Sequence, residues 1–326
     1  MEVRAGTELR YDDIDKVGVQ QTRRRAFVST FGLYRVKEAS AALFGEATWR
    51  PLADLRIIGG LRADYYHADI AARDAPAAAF GVGKAHDSII SPKVSVAYEV
   101  ADNLELYGSW GRGFHSNDVR GSVATPVVPI LVSGTGKEVG ARFQTGPLTL
   151  TTTYWWLSVG SELRFIGDSN AVEPTGASRR HGYEVVAFWR PLAWLAIDAN
   201  YTASRSRYDN GDHIPNAFEN SAAVGVSAVS DTWEAMIRLR HLGPSPLVED
   251  NSVRDKGSTV VNLRAARKFA NFEVYGDLLN VLNSRDKDIA YLYEAFVPGF
   301  DAAPVEGRLS RVVEPRTLRF GATYRF

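Results

Sequence analysis

The chain has 326 residues, with 38 Lys and Arg against 38 Asp and Glu, and no cysteine. The balanced charge gives no sign of a basic nucleic-acid surface, and the lack of cysteine excludes disulfides, thiolate metal sites and cysteine nucleophiles. No stretch approaches the ~18 consecutive apolar residues of a transmembrane helix, and the first residues do not form a signal peptide.

Apolar and polar residues alternate with a period of two along much of the chain, which is typical of strands with two different faces. In 195–206, for example, Ile197 and Ala199 alternate with Asp198 and Asn200. The same division occurs in 55–65, 233–240 and 272–278, where the polar face carries full charges. The pattern predicts an all-β protein with about fourteen antiparallel strands, at 2–10, 39–50, 52–66, 88–100, 104–114, 137–144, 148–164, 179–190, 195–207, 219–229, 233–242, 258–269, 271–281 and 316–326.

The connections between the predicted strands alternate between short turns and long loops. The long ones are 11–38, 67–87, 115–136, 165–178, 208–218, 243–257 and 282–315. Most strands have about nine to thirteen residues, and a tilted strand needs about 9–11 to cross a bilayer. Short turns at one end and long loops at the other are typical of a transmembrane β-barrel.

The last strand carries a pattern of its own. Phe320, Tyr324 and the terminal Phe326 lie on one face, with Leu318 and Ala322 between them. This pattern is similar to the recognition strand of the outer-membrane barrel assembly machinery, which would make these three aromatic residues an assembly signal. An ordinary edge strand that ends in Phe is the alternative.

Several segments in order resemble the C-terminal barrel of TonB-dependent receptors. They are 106–118 (LYGSWGRGFHSND), 161–167 (SELRFIG), 178–184 (SRRHGYE), 214–217 (IPNA), 238–254 (RLRHLGPSPLVEDNSVR), 277–288 (DLLNVLNSRDKD) and 314–326 (EPRTLRFGATYRF). The resemblance covers essentially the whole chain and identifies residues 1–326 as one barrel domain, without a second domain.

The resemblance implies a barrel of about 22 strands with an N-terminal plug, in the outer membrane of a Gram-negative bacterium. Such receptors are not enzymes, need no cofactor, and take up scarce nutrients, most often ferric siderophores, with energy supplied through TonB. We find no plug, TonB box or signal sequence, so we expect a C-terminal fragment whose partners are lipid, the assembly machinery and, through the missing plug, TonB.

Ligand contacts in this family come from the loops and the upper lumen. The residues that match these places are Arg112, His115, Asn117, Asp118, Arg179, Arg180, Asp250, Asn251 and Arg254.

Other polar groups have simpler interpretations. None of the six histidines forms an HxH or HxxxH pair with carboxylates in register, so we predict no metal site. Glu105, Arg238 and Arg240 fit a hydrated lumen wall better than a catalytic or ligand-clamping site. The acidic residues at 250 and at 286–288 fit calcium binding and loop turns equally well. The glycines at 111, 113, 134 and 136 are expected to mark a bulge or bend, and Arg112 then lies above the membrane or is turned inward.

Two other functions compete with the receptor fragment. A complete fourteen-stranded porin is compatible with the even number of strands. A soluble β protein or enzyme fits poorly, because a soluble barrel this wide would place the charged rows outside. A ladder between the first and last strands would favour the porin.

Overall fold

The computed structural model describes residues 1–125, 127–166, 171–297, 299–300 and 302–326, without the side chains of 162–166 and 171–175. The last residue of the 161–167 motif therefore lies outside the described residues. Over the described residues the helical segments are short: α1 (Ala75–Phe80) and a 3-10 turn (Val119–Val123). No described helix is long and apolar enough to cross a membrane.

Strands make up most of the chain. They are β1 (Glu2–Arg23), β2 (Ala26–Trp49), β3 (Leu55–Ala72), β4 (Gly83–Ala101), β5 (Leu104–Ser116), β6 (Leu131–Thr145), β7 (Leu148–Val159), β8 (Glu162–Ile166), β9 (Ala171–Thr175), β10 (Ser178–Leu192), β11 (Leu195–Tyr208), β12 (Asn220–Val229), β13 (Trp233–Leu242), β14 (Ser245–Pro246), β15 (Arg254–Asp255), β16 (Ser258–Lys268), β17 (Phe272–Leu279), β18 (Lys287–Ala295), β19 (Val305–Val312) and β20 (Thr317–Tyr324).

Fourteen strands form one antiparallel sheet in the order β1-β2-β3-β4-β5-β6-β7-β10-β11-β12-β13-β16-β17-β20. The remaining strands form three small hairpins, β8–β9, β14–β15 and β18–β19, within the long connections. The predicted number of strands in the main sheet is confirmed, and from β2 onward short and long connections alternate as expected. The two ends of the sheet are called the short-turn end and the long-loop end below.

Among the described residues, β1 pairs only with β2, and β20 pairs only with β17. These two strands are therefore the edges of the sheet, and no ladder joins 3–9 to 318–324.

The long loop predicted over 11–38 is wrong. β1 and β2 continue as one long hairpin, which turns at Arg24 and Arg25, both with positive φ. Shifts in the β1–β2 register between Ile14 and Val17, and twice more before the turn, interrupt the alternation. The sequence signal is lost because a strand segment with water on both faces needs no apolar row.

The strand predicted over 148–164 is also divided. β7 ends at Val159, and the Gly160 amide donates to the Ser133 carbonyl at 2.9 Å. β8 then begins at Glu162 and pairs with β9 in its own hairpin rather than in the main sheet.

The register gives the sheet one apolar face and one charged face. Tyr201 lies opposite Val185, and Ala199 lies opposite Ala187, so the predicted apolar row of β11 continues into β10. Asp198 lies on the other face, where it pairs with Arg238 at 3.0 Å. The apolar face remains largely exposed, and Leu9, Leu43, Leu61, Val94, Leu106 and Phe320 are among its exposed residues.

The glycines of β5 and β6 do not form the predicted bulge in the β5–β6 ladder. Gly111 lies opposite Gly136 and Gly113 opposite Gly134, within a ladder that runs without a shift from Leu104 to Ser116. The β4–β5 ladder ends at Gly111, so the last part of β5 runs beside β6 alone. Arg112 therefore keeps its place in the apolar row, beyond Trp110.

Candidate functional site

The long-loop end contains the main buried core, where two connections fold over the charged face of β2 and β3. Val36 and Ile70, from the two strands, are buried there with Ala77 of α1 and with Val119 and Ile130 from the β5–β6 connection. Because loops with this much apolar contact keep a defined shape, they can present polar groups in fixed positions.

Asp74 holds the first of these loops in place. Its Oδ1 accepts a hydrogen bond from the Ala77 amide at 2.9 Å, and its Oδ2 accepts one from the Thr30 hydroxyl at 2.7 Å. These two bonds, that from Thr30 first, lower the pKa of the Asp74 carboxyl below its ordinary value.

The first group of predicted ligand residues lies at the outer end of β5 and just after it. Arg112 and His115 are exposed side chains on opposite faces of the strand. Asn117 is buried, and its Nδ2 donates to the Pro129 carbonyl at 2.8 Å. Asp118 forms an ion pair with Arg120 and accepts from the Arg120 amide at 3.0 Å. Asn117 and Asp118 thus stabilise the conformation of the loop, whereas the Arg112 and His115 side chains are open to solvent.

Arg179 and Arg180 form the second group, at the start of β10. Successive strand residues point to opposite faces, so only Arg180 lies on the charged face. Arg179 lies on the apolar face and forms a 3.0 Å ion pair with Asp209 of the β11–β12 connection.

The third group lies in the β13–β16 connection, where its members contact one another. Asp250 accepts hydrogen bonds from the Ser252 amide at 2.9 Å and the Ser252 hydroxyl at 2.7 Å. The Ser252 bonds, led by that from the amide, lower the pKa of the Asp250 carboxyl. Asn251 has a positive φ and accepts from Arg254, which also forms an ion pair with Glu219.

The acidic loop residues considered for calcium are engaged in loop contacts. Asp286 accepts from the Thr259 amide at 3.0 Å, and Asp288 forms an ion pair with Arg311. Within the part of the chain that the structure describes, no three His, Cys, Asp or Glu side chains come together in a way that could hold a metal ion.

The β11–β12 connection links the second and third groups. Asp209 contacts Arg179, Glu219 contacts Arg254, and the His213 amide donates to the Glu249 carbonyl at 2.8 Å. A rim cavity of about 380 Å³ lies beside these contacts, lined by Arg205, Arg207, His213 and Glu219 among others.

Burial, and then the nearby Arg207 guanidinium, lower the pKa of His213. Sequence reasoning missed His213 and Glu219, because their partners are distant in the chain.

The charged face carries ion pairs that cross from strand to strand. Glu105 accepts from Arg56 at 3.0 Å and from Arg142 at 3.2 Å, beside a cavity of about 260 Å³ that Glu138 also lines. A second cluster surrounds Arg264, whose partners are Glu234, Glu273 and Asp277. Paired charges on one face of the sheet agree with the expectation of a hydrated wall.

The aromatic residues of the predicted assembly signal lie at the far edge of the sheet. Phe320 and Tyr324 share the apolar face of β20 and are largely exposed, and Phe326 follows the strand. The Tyr324 and Phe326 rings contact each other edge to face at 5.2 Å.

Comparison with known proteins identifies the family. Residues 3–281 match the family model "TonB dependent receptor-like, beta-barrel". The ferric yersiniabactin uptake receptor FyuA from Yersinia pestis superposes with a TM-score of 0.76 at 16% identity, over 98% of this chain and 51% of that one. The copper transporter OprC superposes with a TM-score of 0.75 at 16% identity, over 99% of this chain and 53% of that one. The siderophore receptor PiuA from Acinetobacter baumannii superposes with a TM-score of 0.70 at 13% identity, over 98% of this chain and 51% of that one.

The chain thus spans about half the length of these solved structures. No curated protein sequence matches it. The superpositions at this low identity support the fold, and the family model covers most of the chain. The chain therefore belongs to the TonB-dependent receptor β-barrel family, whose members are outer-membrane proteins of Gram-negative bacteria.

Proposed function

We propose that residues 1–326 are the C-terminal part of the barrel domain of a longer TonB-dependent receptor. Such a receptor would have about 22 strands in total, including the fourteen of this sheet, and a plug in the lumen. Two observations support this arrangement. The chain spans about half of the solved structures that it resembles, and β1 and β20 are the edges of the sheet. A backbone edge left unpaired in hydrocarbon costs several kcal/mol per group, so each edge needs a further strand as its partner.

In the intact receptor the apolar face contacts lipid and the charged face lines the lumen. A terminal strand with exposed Phe320, Tyr324 and Phe326 suits recognition by the barrel assembly machinery. TonB would act on the receptor through a plug that precedes these strands.

The function is transport rather than catalysis, with no resident cofactor. The ligand is a scarce nutrient, with a ferric siderophore or a similar large molecule as the first candidate. Among the similar structures, one is named as a siderophore receptor and another as a ferric yersiniabactin uptake receptor. The long-loop end would bind it, through Arg112, His115, Asn117, Asp118, Arg179, Arg180, Asp250, Asn251 and Arg254. Among these, His115 and Arg180 suit direct contact best, because both lie on the charged face that would line the lumen. Asn117, Asp118 and Asp250 shape their loops.

The observation that carries the proposal is the division of one fourteen-stranded sheet into an exposed apolar face and an ion-paired charged face. A self-standing porin with the same faces would need a ladder between β1 and β20. No such ladder is present among the described residues.

Uptake of radioactive iron in the bacterium that encodes the chain tests the function. Iron-starved cells should take up a ferric siderophore, and should lose this uptake when the gene is deleted or the proton-motive force is dissipated. Arg180→Gln in the complete receptor should weaken uptake, whereas Lys84→Gln on the apolar face should not. Unchanged uptake of every siderophore tested in the deletion strain would contradict the proposed ligand class.

A further inference from the structure

On strands β5 to β11 of the main sheet, the apolar face changes from aromatic to basic toward the long-loop end. On β5 the row runs from Trp110 to Arg112, and on β10 from Tyr183 through His181 to Arg179. On β6 Lys137 follows Val139 in the same direction, and on β11 Arg205 lies beyond Tyr201.

The register places these cations side by side. Trp110, Lys137, Trp156, His181 and Arg205 form one continuous row across five neighbouring strands. Arg112, Arg179 and Arg207 belong to the next row toward the long-loop end, and the partly buried Arg207 side chain lines the rim cavity. Because neighbouring strands lie about 4.8 Å apart, the other five cationic positions form one surface, called the basic patch here: Arg112, Lys137, Arg179, His181 and Arg205.

Most of this charge is not neutralised within the described residues. Arg179 has Asp209 as a partner at 3.0 Å, and His181 Nδ1 lies 3.2 Å from the Tyr154 hydroxyl. Arg112, Lys137 and Arg205 are exposed, and none of them forms an ion pair with another side chain that the structure describes. The apolar face of these five strands contains no Asp or Glu, so like charges repel across the patch.

The same face differs on β1 to β4. There the cations beyond the apolar rows have acidic neighbours: Arg35 pairs with Asp13 at 3.1 Å, and Lys84 lies 3.8 Å from Asp69. The excess of positive charge is therefore local to the patch and is not a general property of the long-loop end.

We propose that the basic patch binds the phosphate groups of an anionic lipid in the outer leaflet. Aromatic side chains of membrane barrels gather at the level where hydrocarbon meets headgroups. With its acyl chains against Tyr154 and Trp156, a lipid would bring its phosphates to Lys137 and Arg205, which lie in the same row as Trp156. Arg112 and Arg179 lie in the next row toward the long-loop end. The lipid then supplies the counter-charges that the chain does not. The inference rests on the proposed contact between the apolar face and the membrane. It assigns Arg112 and Arg179, which lie on that face, to lipid rather than to the transported ligand.

Binding of lipid A to the full chain in detergent micelles tests the inference. Lipid A carries phosphates, and its dephosphorylated form has the same acyl chains. Quenching of Trp110 and Trp156 by brominated acyl chains reports the contact. The phosphorylated form should bind more tightly, and Lys137→Gln with Arg205→Gln should weaken it by about fivefold for each charge removed. The matched control, Lys37→Gln with Lys84→Gln, removes the same charge elsewhere on this face and should bind as the native chain does.

Equal affinity for the two lipids, or an equal loss in the two double variants, would overturn the inference. Equally tight binding of inorganic phosphate would overturn the choice of a lipid. Circular dichroism shows whether each variant keeps its strands, and Lys137→Arg, which retains the charge, should keep the affinity if the double variant does not fold. A chain that stays folded and soluble in buffer without detergent would instead contradict the membrane contact itself.

Discussion

The carboxylate of Asp198 on β11 and the guanidinium of Arg238 on β13 meet at 3.0 Å, across the intervening strand β12. They can meet because Gly225, which lies opposite both residues, leaves the space between them open. A Cβ at Gly225 would overlap the Asp198 carboxylate and lie 2.7 Å from Arg238 Nη2. One glycine therefore allows an ion pair on the charged face to span two strand spacings.

Gly225→Ala is expected to separate this pair at little cost. Both side chains are flexible and partly exposed, so the loss of unfolding free energy should stay below about 1 kcal/mol. Gly182→Ala should cost about 1–3 kcal/mol, because a Cβ there overlaps the Ala203 carbonyl oxygen of the backbone. Urea unfolding in detergent measures both variants. Equal losses would contradict the packing of β10 against β11.

The two faces of β11 predict opposite effects of one new charge. Ala199→Arg places a cation on the apolar face, where a charge near the bilayer midplane costs about 2–4 kcal/mol. Asn200→Arg places it on the charged face, where water or acidic neighbours can accommodate it. In the complete receptor, the first variant should reduce the folded protein in the outer membrane and the second should not. Similar amounts of folded protein for the two variants would contradict the assignment of the two faces.

Asn280 ties together the two ends of the long β17–β20 connection. This buried side chain donates to the Ser284 carbonyl at 2.9 Å and to the Glu314 carbonyl at 2.8 Å. Asn280→Ala should destabilise the connection by about 1–3 kcal/mol, since it removes two hydrogen bonds that a buried side chain donates. Asn283→Ala, at a residue with a similar positive φ, removes one exposed contact to the Arg316 amide and should have a smaller effect. Limited proteolysis of 284–316 compares them, and equal cleavage rates would rule out this role for Asn280.

Asp74 should make the β3–β4 connection sensitive to acid. Its pKa is lower in the folded chain, through the hydrogen bonds from Thr30 and then Ala77, than the usual value of about 3.9. The unfolded chain therefore binds the proton more readily. The stabilisation is complete above the unfolded pKa and disappears as the pH falls through the folded one. The difference in Tm between the native chain and Asp74→Ala should be largest near neutral pH and shrink below about pH 4. A difference in Tm that stays constant with pH would show that the charge of the Asp74 carboxylate does not contribute to stability.

The sequence predicted the fourteen strands well wherever one face of the strand is apolar and the other polar. Alternation of this kind marks 195–207 and 233–242 within a few residues of β11 and β13. It fails in 11–38, where charged residues lie on both faces and Ile14 and Val17 flank a bulge. The small hairpins β14–β15 and β18–β19 are too short or irregular to show a period-two alternation of apolar and polar residues.

The candidate ligand residues are a different case. Their places in the chain follow from the loops, but their partners do not. Asp209 and Glu219 hold Arg179 and Arg254 through contacts 30 and 35 residues apart, which local patterns do not encode. The same is true of the basic patch, whose residues come from four strands and become neighbours only through the register.

Cysteine scanning of β13 in intact outer membranes tests the central claim, that this sheet is a membrane wall between lipid and water. The chain contains no cysteine, so every label would report one introduced site. A water-soluble maleimide should label the cysteines of Glu234→Cys, Met236→Cys and Arg238→Cys on the charged face. Ala235→Cys, Ile237→Cys and Leu239→Cys on the apolar face should react only with a lipid-soluble reagent. Labelling without this alternation, or with the two faces reversed, would contradict the account.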